Sequence, residues 1–245
     1  MGAAREGRSL NDRERAPASD GTRMALPGRF DAALFAAFKV AVGAGLWSWF
    51  RFRVEGPQPP RGACVFAANH TSYLDPLLLG AAAPTRLVYL MTEVVWRSPR
   101  MGWFYRWNQS IPLSVRGGNR QGLRDAREVL RQGRSIGIFP EGGISRDGLP
   151  MLGIPGAVSL VLHAGVPIVP VGIVGAHDAM PLGAGLPRRR PIVVRFGEPI
   201  LPERIDQLGG GDRRDRLRLA TLEIMRAIAA LTGQSAREDV LAAAR

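Results

Sequence analysis

A chain of 245 residues is long enough for one α/β domain with a full hydrophobic core, and a single domain is the simplest division of it. One cysteine, Cys64, excludes an intramolecular disulfide framework and fits a reducing compartment; within "ACVFAA" it reads as a small buried apolar side chain rather than a nucleophile. A formal charge of +12 calls for an anionic partner, whether phosphate, nucleic acid or an acidic membrane surface, and residues 30–185 alone carry 15 basic and 9 acidic side chains, so the charge belongs largely to the folded body.

Residues 1–28 are polar, Arg-rich and without hydrophobic periodicity, and read as a disordered basic leader. Residues 29–53 follow as a membrane-associated helical segment. Within it, 32–50 reads "AALFAAFKVAVGAGLWSWF", with Lys39 as its only charge. As a helix this stretch would measure about 29 Å, close to the hydrocarbon thickness of a bilayer. It starts too far from Met1 for an ordinary signal peptide. The central Lys39, the Trp47, Trp49, Phe50 cluster and the flanking Arg51 and Arg53 fit an interfacial helix as well as a spanning one, and a buried core helix is the plain alternative.

Residues 54–245 then form the α/β domain. Strand-like runs are "ACVFAAN", "RLVYLM", "SIGIFP", "VPIVPVGIV" and "PIVVRFG", separated in part by the helical segments "NRQGLRDAREVLRQG" and "GIPGAVSLVLHAG". Leu123, Ala126, Arg127 and Leu130 recur at helical spacing, with Gly133 as a stop. Alternation of this kind predicts a mixed, largely parallel sheet surrounded by helices. The last segment begins at Asp212 as a candidate cap and places Leu217, Ala220, Ile224, Ile228 and Leu231 on one stripe, as a covering helix does.

"FAANHTSYLDPLLLG" drops polar residues between two apolar runs. On one continuous helix His70 and Asp75 would stand about 140° apart and could not meet. Pro76 disfavours helical geometry at Asp75 and suits a first helical position, so strand, polar turn and a helix starting near Pro76 is the expected arrangement. The turn lets imidazole and carboxylate meet as a base and its orienter. The plain alternatives are that Asp75 only caps the helix and His70 is a satisfied core histidine.

"VVWRSPRMGWFYRWNQ" mixes Trp96, Trp103, Phe104, Tyr105 and Trp107 with Arg97, Arg100 and Arg106 and holds no acidic residue. This suits a membrane headgroup zone, and equally a single-stranded nucleic-acid surface or a packed loop; the apolar stretch at 32–50 favours the membrane, and no nucleic-acid partner is expected. "PRRRP" at 187–191 reads first as a solvated loop and more weakly as an anionic-lipid contact. His163 reads as structural and His177 as a loop residue after a strand. Neither a metal site nor a nucleotide-phosphate loop is expected from the spacing of His, Cys, Asp, Glu, Gly and Lys.

"NHTSYLDP" resembles the H-x-x-x-x-D motif of the glycerolipid acyltransferases, the family that includes 1-acylglycerol-3-phosphate acyltransferase. "SIPLSVRGGNR" around Arg116 resembles the second block of that family, "FPEG" at Phe139–Gly142 the third and "VPIVPV" at 166–171 the fourth, in the same order, and the resemblance covers residues 30–200. It implies that His70 is the base that deprotonates an acceptor hydroxyl, Asp75 its orienter, and that no acyl-enzyme forms. It implies further that Arg116 binds the acceptor's phosphate and that Glu141, Gly142, Gly143, Ser145 and Arg146 shape the acceptor site. It implies acyl-CoA or acyl carrier protein as the donor, no tightly bound cofactor, and membrane lipids as the other partner. The expected location is the cytoplasmic face of the inner (plasma) membrane, monotopic or with a single N-terminal span.

Three departures bear on the acceptor. Gly143-Ile144-Ser145 replaces the usual Thr-Arg-Ser after Glu-Gly, so the second phosphate-binding arginine is missing from its own position; Ser110 replaces the usual glycine of the second block; and Ile111-Pro112 sit one residue farther from Arg116 than usual. Lysophosphatidic acid is the leading acceptor, with another lyso-lipid, a glycolipid or a lipid-like hydroxyl as the alternative. A basic membrane-surface or nucleic-acid-binding module without turnover is the rival outside enzymes.

Overall fold

The computed structural model describes residues 27–99, 101–114, 119–151, 153, 159, 165–207 and 212–234. The expected leader therefore lies almost wholly outside the described residues, as does most of the helix expected over 153–165, with His163. In chain order the described elements are α1 (Arg29–Phe50), β1 (Arg53–Glu55), β2 (Val65–Ala68), α2 (Asp75–Ala82), β3 (Leu87–Thr92), α3 (Glu93–Trp96), α4 (Gly102–Trp107) and β4 (Ile111–Leu113). They continue with α5 (Arg120–Arg131), β5 (Ser135–Ile138), β6 (Ile168–Val174), α6 (Ala176–Ala179), β7 (Val193–Phe196), α7 (Pro202–Asp206) and α8 (Arg213–Thr232).

Seven strands form one sheet in the order β1-β7-β6-β2-β5-β3-β4. Every neighbouring pair is parallel except β6 with β7, as expected for a mixed, largely parallel sheet. The five apolar runs all became strands; the short edge strands β1 and β4 did not announce themselves. β1 is exposed at all three positions, and β4 is only three residues long with Pro112 at its centre, which weakens the strand signal because proline donates no ladder hydrogen bond.

β2 and β5 are buried throughout and β6 at all but its last residue, because helices cover both faces. Phe66, Ala68, Tyr89, Val171 and Phe196 pack on one side with α1 and α2. Val65, Ala67, Val129, Ile136 and Ile168 pack on the other with α5 and α8. Gly133 (φ 77°) and Gly233 (φ 69°) end α5 and α8 in the left-handed conformation that glycine adopts without strain. Asp212 occupies the N-cap position of α8, but its side chain makes no capping hydrogen bond.

α1 lies along the domain rather than projecting from it. Phe35 and Phe38 pack against Trp107, with ring centroids 5.5 and 5.4 Å away, and Phe38 also meets Phe104 at 5.7 Å. Leu46 and Phe50 are buried at the other end, and Lys39 Nζ donates to the Ala83 carbonyl midway. The opposite side, with Phe30, Leu34, Val40 and Trp47, is exposed. The aromatic and cationic segment at 94–109 is thus not a simple surface loop: α3 and α4 direct Phe104 and Trp107 inward, Trp96 Nε1 donates to the Ser110 carbonyl at 3.1 Å, and Trp103 stays exposed.

Candidate active site

β2, β5 and β6 run parallel at the centre of the sheet, so the segments after their carboxyl ends meet on one edge. Such an edge is where open α/β sheets place ligands. After β2, Asn69 prolongs the ladder through its side chain: Nδ2 donates to the Ile173 carbonyl at 2.9 Å and Oδ1 accepts the Ile173 N–H at 2.7 Å. His70 follows, and the chain turns.

The turn brings His70 and Asp75 together. Asp75, fully buried, directs Oδ2 back at the turn, where it accepts His70 Nδ1 at 2.9 Å, the Thr71 N–H at 2.6 Å and the Ser72 N–H at 2.8 Å. A carboxylate only accepts, so Nδ1 carries the shared proton and the lone pair of Nε2 is left free to act as a base. α2 starts at Asp75, one residue before the expected Pro76; the carboxylate serves the turn rather than the helix end. Ser72 ties the same turn to another loop: its Oγ donates to the Met180 carbonyl at 2.7 Å and accepts the Leu74 N–H at 3.1 Å. Burial pushes the Asp75 carboxyl above the ordinary carboxylate range, and His70 and the two backbone N–H groups pull it back.

The segment after β5 holds the other side of His70. The Phe139 ring stacks on the imidazole, centroids 4.2 Å apart, and Tyr89 lies parallel behind Phe139 at 6.3 Å. Glu141, 6% exposed, accepts the His70 N–H on Oε1 at 3.0 Å and the Met151 N–H on Oε2 at 3.1 Å. The Ser145 N–H donates to the His70 carbonyl at 2.7 Å, so both backbone groups of His70 are fixed by the loop carrying Glu141. Burial pushes the Glu141 carboxyl up to about 7 and outweighs the two N–H donors.

Of the other expected site residues, Gly142 adopts φ 71° in the turn after β5 and is exposed, and Gly143 has open space where a Cβ would stand. Ser145 is fully buried and donates through Oγ to Asp147 at 2.8 Å, while Arg146 is exposed. Arg116 lies outside the described residues. His177, in α6, reaches the Thr71 carbonyl from Nδ1 at 3.4 Å, so it borders the site although its sequence context marked only a loop. Asn69 and Phe139 also went unassigned; an asparagine and an aromatic at the carboxyl ends of two neighbouring parallel strands are the signals that could have found them. Among the described residues, no group of three or more His, Cys, Asp or Glu side chains converges as a metal site.

With this geometry in hand, the chain matches the family described as Acyltransferase over residues 51–174. It is a member of that family. The chain is similar to the chloroplastic 1-acyl-sn-glycerol-3-phosphate acyltransferase of Brassica napus, 28% identical over 59% of this chain and 43% of that one. It is also similar to the lyso-ornithine lipid O-acyltransferase of Pseudomonas aeruginosa, 34% identical over 54% of this chain and 50% of that one. The chain spans about half the length of the curated relatives it matches. Its fold is that of the crystal structure of the 1-acyl-sn-glycerophosphate acyltransferase from Thermotoga maritima, with a TM-score of 0.65, 22% identity and 86% of each chain covered. The expected family and sheet are both borne out.

Two spaces open beside the turn. An apolar one lies between α1, α2 and α4, lined by Phe38, Val42, Leu77, Tyr89 and Phe104. A more polar one is lined by Thr71, Asp147, His177, Asp178 and Gln234.

Proposed function

We propose that the protein transfers a fatty acyl group from a thioester, acyl-CoA or acyl-acyl carrier protein, to the free hydroxyl of a lysophospholipid. 1-Acylglycerol-3-phosphate is the leading acceptor and phosphatidic acid the product. The observation that carries this reading is the His70–Asp75 pair, held at the carboxyl edge of the sheet, with no partner on Nε2 among the described residues.

In this mechanism Nε2 of His70 takes the proton of the acceptor hydroxyl as its oxygen attacks the thioester carbonyl. Asp75 keeps the proton of Nδ1 in place and stabilises the imidazolium that forms, as a buried orienting carboxylate does in other base-assisted acyl transfers. When the tetrahedral intermediate collapses, the C–S bond breaks and the thiolate leaves with the proton from His70, so an ester and a free thiol result without an acyl-enzyme. Glu141 contributes by fixing the His70 backbone, and Arg116 is the group assigned to the acceptor's phosphate, where a guanidinium can pair with two oxygens at once.

The exposed side of α1 sits against the membrane, monotopically, at the cytoplasmic face. α1 is long and apolar enough to cross a bilayer, but its other side is committed to α2 and α4 along its length, which favours lying in the interface. A second reading is acylation of a different lyso-lipid, such as a lyso-ornithine lipid. Gly143-Ile144-Ser145 in place of Thr-Arg-Ser favours it, because it removes a phosphate ligand.

The test is release of free CoA from palmitoyl-CoA by membranes containing the protein, offered a panel of lyso-acceptors, with His70→Ala alongside. Release that depends on His70 and on lysophosphatidic acid supports the first reading. Release that depends on His70 but requires another acceptor supports the second, and no release with any acceptor or with acyl carrier protein as donor overturns both.

A further inference from the structure

The segment "PLGAGLPRRRP" at 181–191 takes no part in the chemistry described above, and the fold holds it in a telling place. One end is fastened to the turn that carries His70: Met180 accepts Ser72 Oγ at 2.7 Å, and the Arg188 N–H donates to the Ala179 carbonyl at 2.7 Å, closing the loop on itself. The other end is fastened to the end of α1: the Ile192 N–H donates to the Phe50 carbonyl, and the Arg53 N–H to the Ile192 carbonyl, both at 3.1 Å. The loop therefore bridges the active-site turn and the aromatic end of α1, where Trp47 and Trp49 are exposed.

Its composition is that of a lipid contact. Leu186 is 82% exposed and Leu182 is also on the surface, two apolar side chains left in water at the loop's tip. Arg188, Arg189 and Arg190 are all exposed, and no acidic residue stands between Asp178 and Glu198 to neutralise them. Tyr73, next in the chain to the Ser72 that holds Met180, adds an exposed amphipathic ring on the active-site turn. An apolar tip with a cationic collar suits the boundary between headgroups and acyl chains, where leucine leaves water and guanidinium meets lipid phosphate.

We propose that the 181–190 loop is a second membrane anchor, specific for anionic phospholipid, which together with the end of α1 presses the His70 turn against the bilayer surface. The inference rests on the membrane-surface reading of α1 and adds a headgroup-selective contact to it. A lysolipid acceptor resides in that surface, so the loop brings the base to its substrate.

The test is flotation of the full chain with vesicles of phosphatidylcholine alone or mixed with phosphatidylglycerol. The variants are Leu186→Ser, the triple change Arg188→Gln, Arg189→Gln, Arg190→Gln, and, as a matched charge control on α5 across the sheet, Arg120→Gln, Arg124→Gln, Arg131→Gln. Each arginine at an anionic surface strengthens binding about fivefold, so the loop triple variant should lose about a hundredfold on anionic vesicles and little on neutral ones. The control should change far less, Leu186→Ser should weaken both, and turnover of monomeric short-chain substrates without vesicles should be unchanged in every variant.

Equal losses in the loop and control variants, or none in either, overturn the loop's role while leaving the α1 reading intact. Unchanged vesicle binding with weakened use of acyl carrier protein would assign the arginines to that acidic donor and overturn it likewise. Failure of the wild type to float with either vesicle overturns the membrane reading and the loop together.

Discussion

Glu141 holds His70 by its backbone: Oε1 accepts the His70 N–H at 3.0 Å while Oε2 accepts the N–H of Met151. One buried carboxyl thus ties His70, two residues past β2, to the loop after β5, and does so without engaging the imidazole. Its occupied oxygens make Glu141 a positioning residue in the proposed reaction, acting on the base rather than on the acceptor.

Glu141 should also leave a mark on stability. Its carboxyl titrates near the ordinary 4.5 when unfolded and is pushed up to about 7 when folded, because burial outweighs two N–H donors. Between those values the unfolded chain has released a proton that the folded chain keeps, so stability should fall as pH rises through this window and level off above it. The span corresponds to about 3 kcal/mol. Glu141→Gln removes the titration, so unfolding midpoints recorded across the window should show a slope in the wild type that is flattened in the variant; parallel profiles would contradict the assignment. Because the amide, like the protonated carboxyl, is neutral and meets one of the two N–H partners with a donor, the variant should match the wild type below the window and be the more stable of the two above it, by up to about 3 kcal/mol.

His70→Ala and Asp75→Asn should separate in a way that a purely structural pair would not. His70 is partly exposed and its ring meets, among the described residues, only the Asp75 carboxylate and the Phe139 ring, so alanine should lower acyl transfer by about 10²–10⁴ with a smaller change in unfolding midpoint than a change at Asp75. Asp75 is fully buried and its Oδ2 serves three donors, so asparagine should cost a similar factor in turnover and also about 1–3 kcal/mol of stability. Steady-state rates beside denaturant titrations check both; equal stability losses would make His70 a structural residue.

The central sheet was legible because strands buried on both faces are nearly continuous apolar runs, as in "ACVFAAN" and "VPIVPVGIV". β1 and β4 were not, because three-residue edge strands such as Arg53–Glu55 owe their existence to a neighbour's free edge rather than to their own side chains. The meeting of His70 and Asp75 was legible from Pro76, which forced the helix to start late enough for the turn to fold back. What holds the pair was not legible: Asn69 on Ile173, Glu141 on the His70 N–H and Ser145 on its carbonyl join positions far apart in the chain, and local pattern carries no record of which strands neighbour each other. The inward turn of Phe104 and Trp107 was hidden for the same reason, since aromatics that pack on a second helix look alike in sequence to aromatics that meet lipid.

Gly137 should tolerate no side chain. It pairs in register with Tyr89 of the neighbouring strand, and a Cβ there would stand 2.5 Å from Tyr89 Cε1 and 2.8 Å from Cδ1. The tyrosine cannot step aside, because its hydroxyl donates to the Pro76 carbonyl at 2.7 Å and its ring backs the Phe139 ring that stacks on His70. Gly137→Ala should therefore cost about 1–3 kcal/mol through overpacking and lower turnover by displacing Phe139. Tyr89→Phe, which keeps the ring and drops the hydroxyl, should cost about 1 kcal/mol and leave turnover nearly intact. Denaturant midpoints and initial rates on the two variants test the stack directly, and a fully active, fully stable Gly137→Ala would show that the strands shift freely.

Asp31 should govern whether α1 stays on the domain. Its Oδ2 accepts Arg86 Nη1 at 2.6 Å and its Oδ1 accepts Trp107 Nε1 at 2.7 Å, while the Arg86 guanidinium lies 4.2 Å above the Phe35 ring. One carboxylate thus gathers α1, α4 and the segment before β3. Asp31 is partly exposed, so solvent weakens the ion pair and its removal should cost only about 1 kcal/mol of global stability. The local effect should be larger. Asp31→Ala should open the first turns of α1 to hydrogen exchange and to protease, whereas the half that ends in buried Leu46 and Phe50 should keep its protection. If exchange in the first turns instead matched the wild type, the aromatic contacts of Phe35 and Phe38 would suffice to hold the helix. Uniform loosening along its whole length would mean that α1 docks as a single unit hinged on Asp31.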